Sequence, residues 1–217
     1  LRHHHFAFHL CILKDDARPD PARAGRQARF EALGVKIHYA TASPGKMESV
    51  AEVARWLDAE GIDILHTHSY RPNVYARLAG ALCRPNGLRI VAHYHNQYDD
   101  KWDSEPAMLL LETQLARSTD AMIAVSESVR SHVAERIGVA VDRFDVVRNG
   151  VDTAQFQGID RVEARRALGL GEDRTLAGLI GRVCEQKGQE DFVEAAIALS
   201  EDHPGVEFLM AGDIEDR

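Results

Sequence analysis

The sequence predicts an α/β fold in which parallel strands form a doubly wound sheet, and three observations carry that reading. Short apolar runs alternate along the chain with segments whose apolar residues recur at i, i+3, i+4 and i+7. The joints between them are short and marked by Gly or Pro, so each strand is followed by a helix rather than by a second strand. Asn149-Gly150, a dipeptide that tolerates positive φ and therefore reads as a turn, falls between an apolar run and a polar stretch. It takes the chain out of one packed layer instead of closing a hairpin.

Taken in order, residues 6–13 (FAFHLCIL) read as a strand buried on both faces, followed by a Pro-rich, charged connection over 14–21. Helix formers over 22–33 stop at Gly34, and 35–39 (VKIHY) is a second strand. Ser43-Pro44 can open the next helix, in which Val50, Val53, Ala54 and Leu57 make one apolar face before Gly61 ends it. Residues 62–66 (IDILH) form a third strand. Tyr75, Leu78, Ala79 and Leu82 mark the buried face of the helix that follows, and 85–87 break the chain before a fourth strand at 88–93. A helix over 106–118, a strand over 121–125, a helix over 128–137 and a strand over 144–147 complete the alternation. Crossovers of this kind are right-handed, and the sheet they build is expected to be covered on both faces.

Beyond the Asn-Gly turn, Asp160 and Glu163 stand at capping-box spacing and Gly169 stops the helix they begin. Residues 176–180 read as a strand, 181–188 as a polar loop, and Phe192, Ala195, Ala196 and Leu199 as a helix face before a last strand at 206–211. The expected organisation is a first domain over 1–153 and a second over 154–217. Two strands are too few to cover both faces of a sheet, so the second domain reads as incomplete, with apolar surface open to self-association.

Composition narrows the classes. The chain is 45% hydrophobic and 28% charged, as in ordinary globular proteins, and its formal charge of −8 speaks against binding nucleic acid through a basic face. Cys11, Cys83 and Cys184 are odd in number and lack CxxC spacing, which suggests neither a disulfide framework nor a zinc knuckle and fits a reducing, cytoplasmic setting. No apolar run approaches the ~20 residues that span a bilayer, so membrane contact is expected to be peripheral at most, at the inner face. The first residue is Leu, and His3, His4 and His5 precede a strand-like run directly, so the chain is expected to begin inside a longer protein.

Chemistry concentrates at strand ends, because ligands of doubly wound sheets bind beyond the carboxyl edge. His66 and His68, in ILHTHSY, and His93 and His95, in VAHYHNQY, form two pairs whose members lie on one side of an extended strand. If the strands are neighbours, four imidazoles line one pocket. They can be read as metal ligands, since HTHS resembles the opening motif of PHP-type metal phosphoesterases and HxH ends strands in amidohydrolase barrels. No Asp follows His68 at short range, and the strand is third rather than first. The other reading is a hydrogen-bonding rim: His68 and His95 at the mouth, with Tyr70, Arg71 and Asn96, can bond a sugar hydroxyl or a phosphate. In the loop GRVCEQKG, Gly181 lets backbone approach a ligand, the helix start offers N–H groups, and Arg182 and Lys187 can compensate phosphate charge. This suits a diphosphate but is neither a Walker loop nor GxGxxG.

IDILHTHS, AMIAVSESVRSHVAERIGV, VVRNGVDTAQF and LIGRVCEQKGQEDFVEAA, in that order, resemble the GT-B retaining glycosyltransferases of family 4. The resemblance implies two Rossmann-like domains joined at RNGVDTAQF, an acceptor-binding one first and a donor-binding one second, with the site in the cleft between. It implies that Gly181, Arg182 and Lys187 bind the diphosphate of a nucleotide-sugar donor, that Arg182 and Lys187 are catalytic, and that His68 lies near the transferred sugar. Tyr70, Arg71, His95 and Asn96 are acceptor-side candidates, with acceptor choice resting on the loops at 70–73 and 96–103. Retaining transfer of this kind needs no metal and no cofactor, which agrees with the absence of a DxD motif. Family members begin with a Gly-rich βα unit and continue past Gly212-Asp213 into a pair of glutamates. Neither feature is present here, so a non-catalytic binding or interaction module is the alternative for this chain, and a His-dependent metal hydrolase is a third.

Overall fold

The computed structural model describes residues 6–13, 23–40, 47–84, 87–97 and 106–213. They fall into two compact units, Leu1–Gly150 and Val151–Arg217. The expectations placed on 14–21, His3 to His5, Ser43-Pro44, Pro85 and 98–103 lie outside the described residues.

The first unit is an α/β layer of strands β1 (His9–Leu13), β2 (Lys36–Ala40), β3 (Ile64–His68), β4 (Arg89–Tyr94), β5 (Ala121–Ala124) and β6 (Phe144–Val146). Its helices are α1 (Arg23–Ala32), α2 (Met47–Ala59), α3 (Tyr70–Cys83), α4 (Pro106–Arg117) and α5 (Glu127–Ile137). Every strand pair is parallel, as the alternation predicts, but the pairing is interrupted: β1 pairs with β2, and β3, β4, β5 and β6 form a separate sheet in that order.

Among the described residues, α3, α4 and α5 share one face of the four-stranded sheet. Its order advances one strand at a time in one direction, and a right-handed crossover at each step carries α3, α4 and α5 to the same face. β3 records the asymmetry, with Leu65 and Thr67 buried while Ile64, His66 and His68 are exposed. β1 is likewise half-buried along its length rather than enclosed.

Under the helices, Tyr94, Met122, Ala124, Val133, Ile137 and Phe144 form one core cluster. Val50, Val53, Leu57, Leu65, Ala79 and Ile90 form another, against which Cys11 and Leu13 of β1 pack. α2 buries the face its spacing predicts. α3 departs from its predicted face at one position: Ala79 is buried and Tyr75 and Leu78 pack partly buried against the second cluster, but Leu82 is 62% exposed, and the most buried side is Asn73, Val74, Ala76, Arg77, Ala79, Gly80 and Cys83. The reason is close approach, since a Cβ added to Gly80 would meet Leu65 Cδ2 at 2.8 Å and Ile90 Cδ1 at 3.1 Å. Only a residue without a side chain fits at that point of closest approach, and Leu82 falls outside the contact.

Two local expectations also change. The third strand runs to His68 rather than stopping at His66. Neither Asn149 nor Gly150 takes a left-handed φ; 147–152 passes without a turn into a short 3-10 segment, Thr153–Phe156, capped when Asp152 accepts from the Ala154 amide at 3.0 Å. Elsewhere the terminators act as read: Gly34, Gly61 and Gly169 take φ of 76°, 60° and 69°.

The second unit holds α6 (Arg161–Ala167), β7 (Thr175–Ile180), α7 (Gln189–Ser200) and β8 (Val206–Ala211), with β7 and β8 parallel. Asp160 caps α6 as its spacing suggests, accepting from the amides of Val162 and Glu163 at 2.9 Å each. Arg165 is the unit's one buried residue among the described residues, donating to the carbonyls of Gly171 and Arg174. Apolar side chains remain open, with Ile180 82% and Ile197 68% exposed. No described helix in either unit is long and apolar enough to cross a membrane.

Candidate functional site

β3 and β4 are hydrogen-bonded neighbours in a register that sets His66 beside Val91 and His68 beside His93. Side-chain alternation then sends the histidines to the face opposite α3. His93 is the centre of the resulting cluster: its ring lies 5.4 Å from that of His66, nearly parallel, 5.0 Å from His68 and 4.3 Å from His95. His68 and His95 are joined by a bond of 2.9 Å between Nδ1 and Nε2. The four imidazoles foreseen at one strand edge therefore come together.

Crowding strips water from these nitrogens and sets like charges against one another, so all four titrate below the ordinary imidazole value. Burial, then the neighbouring His66, His93 and His95, takes His68 down to about 4. Burial, then His95 and His66, takes His93 to about 4. His66 is lowered by burial and His95, and His95 by burial. The cluster is neutral at pH 7, a set of hydrogen-bonding and ligating nitrogens rather than a cationic patch. His66, His68 and His93 each bring one nitrogen within 4.8 Å of the other two.

A buried polar network holds the platform from the helix side. Thr67, between the two β3 histidines, donates to Asn73 Oδ1 at 2.6 Å, and Asn73 Nδ2 donates to the His93 carbonyl at 3.1 Å. Arg77 donates to the Asn73 carbonyl, to Thr119 Oγ1 at 3.0 Å and to Glu112 Oε1, which also accepts from the Tyr94 hydroxyl at 2.7 Å. Burial and the Glu112 charge push the Tyr94 hydroxyl far above its usual range. Each partner is fixed by several bonds, so the carboxyl end of β4 has little freedom. Sequence reading missed Thr67, Arg77, Tyr94 and Glu112. A charged residue at position 77 reads as solvent-facing, and its partner stands 35 positions away.

Of the acceptor-side candidates, Tyr70 and Arg71 lie in the first turn of α3 rather than in a loop, with Tyr70 half-buried and Arg71 exposed. His95 and Asn96 follow β4 directly. Ser69, which links His68 to α3, has φ 71° and ψ 168°, a conformation that L-residues other than glycine rarely adopt.

Gly181, Arg182 and Lys187 belong to the second unit, where β7 runs out into a loop and α7 begins. The Gly181 amide donates to Ala211 at 2.9 Å and that of Val183 to Asp213 at 2.8 Å, extending the β7–β8 pairing past both strands. This approach requires Gly212, where a Cβ would lie inside the Gly181 carbonyl oxygen. The stem of Lys187 packs on Gly181, 3.7 Å from where a Cβ would stand, and Arg182 and Lys187 are both exposed. Gln189 clamps the loop, donating to the Arg182 carbonyl at 2.8 Å and accepting from the Cys184 amide at 3.4 Å. It escaped sequence reading because a Gln at a helix start carries no distinctive signal.

Comparison with known proteins adds four findings. The profile described as Glycosyltransferase Family 4 matches residues 2–155. A D-inositol 3-phosphate glycosyltransferase of Kribbella flavida is 28% identical over 65% of this chain and 35% of its own length. The UDP-Gal:alpha-D-GlcNAc-diphosphoundecaprenol alpha-1,3-galactosyltransferase of Escherichia coli is 27% identical over 78% of this chain and 45% of its own. The chain thus spans less than half the length of these curated relatives. Among solved structures, Anabaena HepE in complex with UDP and glucose superposes with a TM-score of 0.67 at 18% identity, covering 95% of this chain and 61% of that one, a likeness of fold.

Proposed function

This chain belongs to glycosyltransferase family 4, and from that membership we propose that it forms part of an enzyme transferring a sugar from a nucleotide-sugar donor to an acceptor hydroxyl with retention. The observation that carries the reading is the loop after β7, where two exposed cations are held by backbone pairing and by Gln189 at the start of a twelve-residue helix. Preorganised cations beside a helix N-terminus suit a diphosphate and act most strongly on the charge that grows as it leaves. Arg182 and Lys187 stabilise the leaving diphosphate, and the acceptor hydroxyl attacks from the face the donor leaves. Because the two side chains supply the neutralisation, the step calls on no metal ion. On the acceptor side, His68 and His95, with Tyr70, Arg71 and Asn96, bond sugar or acceptor hydroxyls through neutral imidazole nitrogens. A UDP-hexose is the first donor to test, since the Anabaena structure holds UDP and glucose and the E. coli relative is named for UDP-Gal.

The test is donor binding by calorimetry and transfer by release of the nucleoside diphosphate, using the full product of the encoding gene. Arg182→Ala and Lys187→Ala should each lower turnover by about 10²- to 10³-fold, the loss seen when one preorganised donor of a developing anion is removed. A protein that neither binds nor turns over any nucleotide sugar, and whose Arg182→Ala variant behaves as the parent, would overturn the proposal.

A further inference from the structure

We propose that His66, His68 and His93 form a binding site for one divalent transition-metal ion of the zinc class. Three neutral imidazoles are the donor set that zinc takes in open sites, with Zn–N near 2.0–2.1 Å, which places ligand nitrogens about 3.3 Å apart in a tetrahedron. One nitrogen from each ring already lies within 4.8 Å of the others, and the His66 and His68 side chains are exposed, so side-chain rotation can close the site. The strands set the spacing: His68 and His93 are direct register partners, and His66 stands two residues before His68 on the same side.

A second observation points to a ligand independently. His93 is only 9% exposed, and both its ring nitrogens are buried without a hydrogen-bond partner. A buried imidazole with neither nitrogen satisfied is costly, and a bound ion satisfies one of them directly. The surrounding contacts suit the role. Asn73 fixes the His93 backbone, and His95 either steadies the His68 ring through their existing bond or supplies a fourth nitrogen. The step assigned to Arg182 and Lys187 does not use this ion, although zinc on His68 would take the nitrogen that otherwise bonds a sugar hydroxyl; the site is tested with no sugar donor present, so failure of zinc binding leaves the transfer proposal standing.

The test uses the full chain, stripped of metal by chelation, with His3, His4 and His5 replaced by serine in every sample because that run can hold zinc itself. Zinc is titrated in competition with a chromophoric chelator, and cobalt is added separately to read visible d–d absorption. One zinc per chain is expected, with the intense cobalt bands of a four-coordinate nitrogen site. His66→Gln, on an exposed side chain that leaves folding intact, should weaken zinc binding at least about tenfold, since even outer-shell partners of metal ligands are worth about 10- to 100-fold. His93→Gln should do the same, and His203→Gln should not. Absence of bound zinc in the His3 to His5 replaced chain, or affinity within twofold of that chain in His66→Gln, would overturn the site.

Discussion

Replacing Arg77 with methionine should cost the first unit about 3–5 kcal/mol, because it removes one partner of a buried ion pair and leaves the other in place. The side chains of Arg77 and Glu112 are 1% and 2% exposed, so neither gains water when the other is lost. Methionine fills the alkyl volume but returns no donor to Glu112, to Thr119 Oγ1 or to the Asn73 carbonyl. Glu112 would keep one bond, from Tyr94, while its Oε2 already has no partner. A hydrogen bond to a charged group contributes about 1.5–3 kcal/mol, so the lost Arg77–Glu112 bond and one neutral bond together reach the same range. Substituting both partners, Arg77→Met with Glu112→Leu, removes the stranded charge and should restore most of the loss. The assay is urea unfolding followed by tryptophan fluorescence, which reports the first unit alone because Trp56 and Trp102 both precede Gly150. With a slope of about 2 kcal/mol/M, the single variant should unfold about 2 M earlier. A loss below about 1 kcal/mol, or a double variant as unstable as the sum of the two single ones, would refute the reasoning.

Three further outcomes are expected. Gly212→Ala should push the Gly181 carbonyl away and weaken nucleotide-sugar binding at least tenfold while tryptophan-monitored unfolding is unchanged; retained affinity would show that the close approach is dispensable. Asp120 is subject to burial, which raises its pKa, but the Ile90 amide, the bonds from Arg84 and Arg89 and the Arg84 charge lower it by more, to below the usual carboxylate range. Its contribution is therefore present above the unfolded value near pH ~3.9 and lost as pH falls through the lower folded value. The stability gap between parent and Asp120→Asn should be constant from neutral pH down to about pH 5 and close in more acid solution; a gap that widens there would contradict the linkage. Ser69→Gly should stabilise the first unit by about 1 kcal/mol in the same urea assay, relieving the left-handed φ, and a destabilised variant would mean that Ser69 carries no strain.

The strand and helix alternation was readable because local apolar period decides it, and the parallel pairing of every strand followed from short crossovers. Proximity of the two HxH pairs was readable too, since alternation places each pair on one side and the crossover makes β3 and β4 neighbours. What escaped depends on contacts between distant residues. Leu82 reads as core by spacing, yet α3 approaches the sheet most closely at Gly80 and Leu82 falls outside the contact, a distance no local window contains. The separation of the β1–β2 pair from the four-stranded sheet is likewise a matter of pairing, not of strand propensity. Arg77 and Glu112 each look like surface charges, and only their meeting beneath β4 makes burial tolerable. Asn149-Gly150 shows the opposite error, a strong local signal overruled because the chain runs extended toward Asp152.

The bond between His68 and His95 has one more consequence. Two neutral imidazoles can share a hydrogen bond only if one nitrogen holds the proton and the other does not, so their tautomers are correlated. If His68 donates from Nδ1, its Nε2 is a bare acceptor while Nδ1 of His95 carries a proton; if His95 donates, both roles reverse. In either arrangement the pair offers the outside world one donor and one acceptor, never two of a kind. A single proton hop across the 2.9 Å bond, with reprotonation at the outer nitrogens, inverts the polarity of the whole surface without moving a heavy atom. The pair can thus read a hydroxyl of either orientation with the same two side chains.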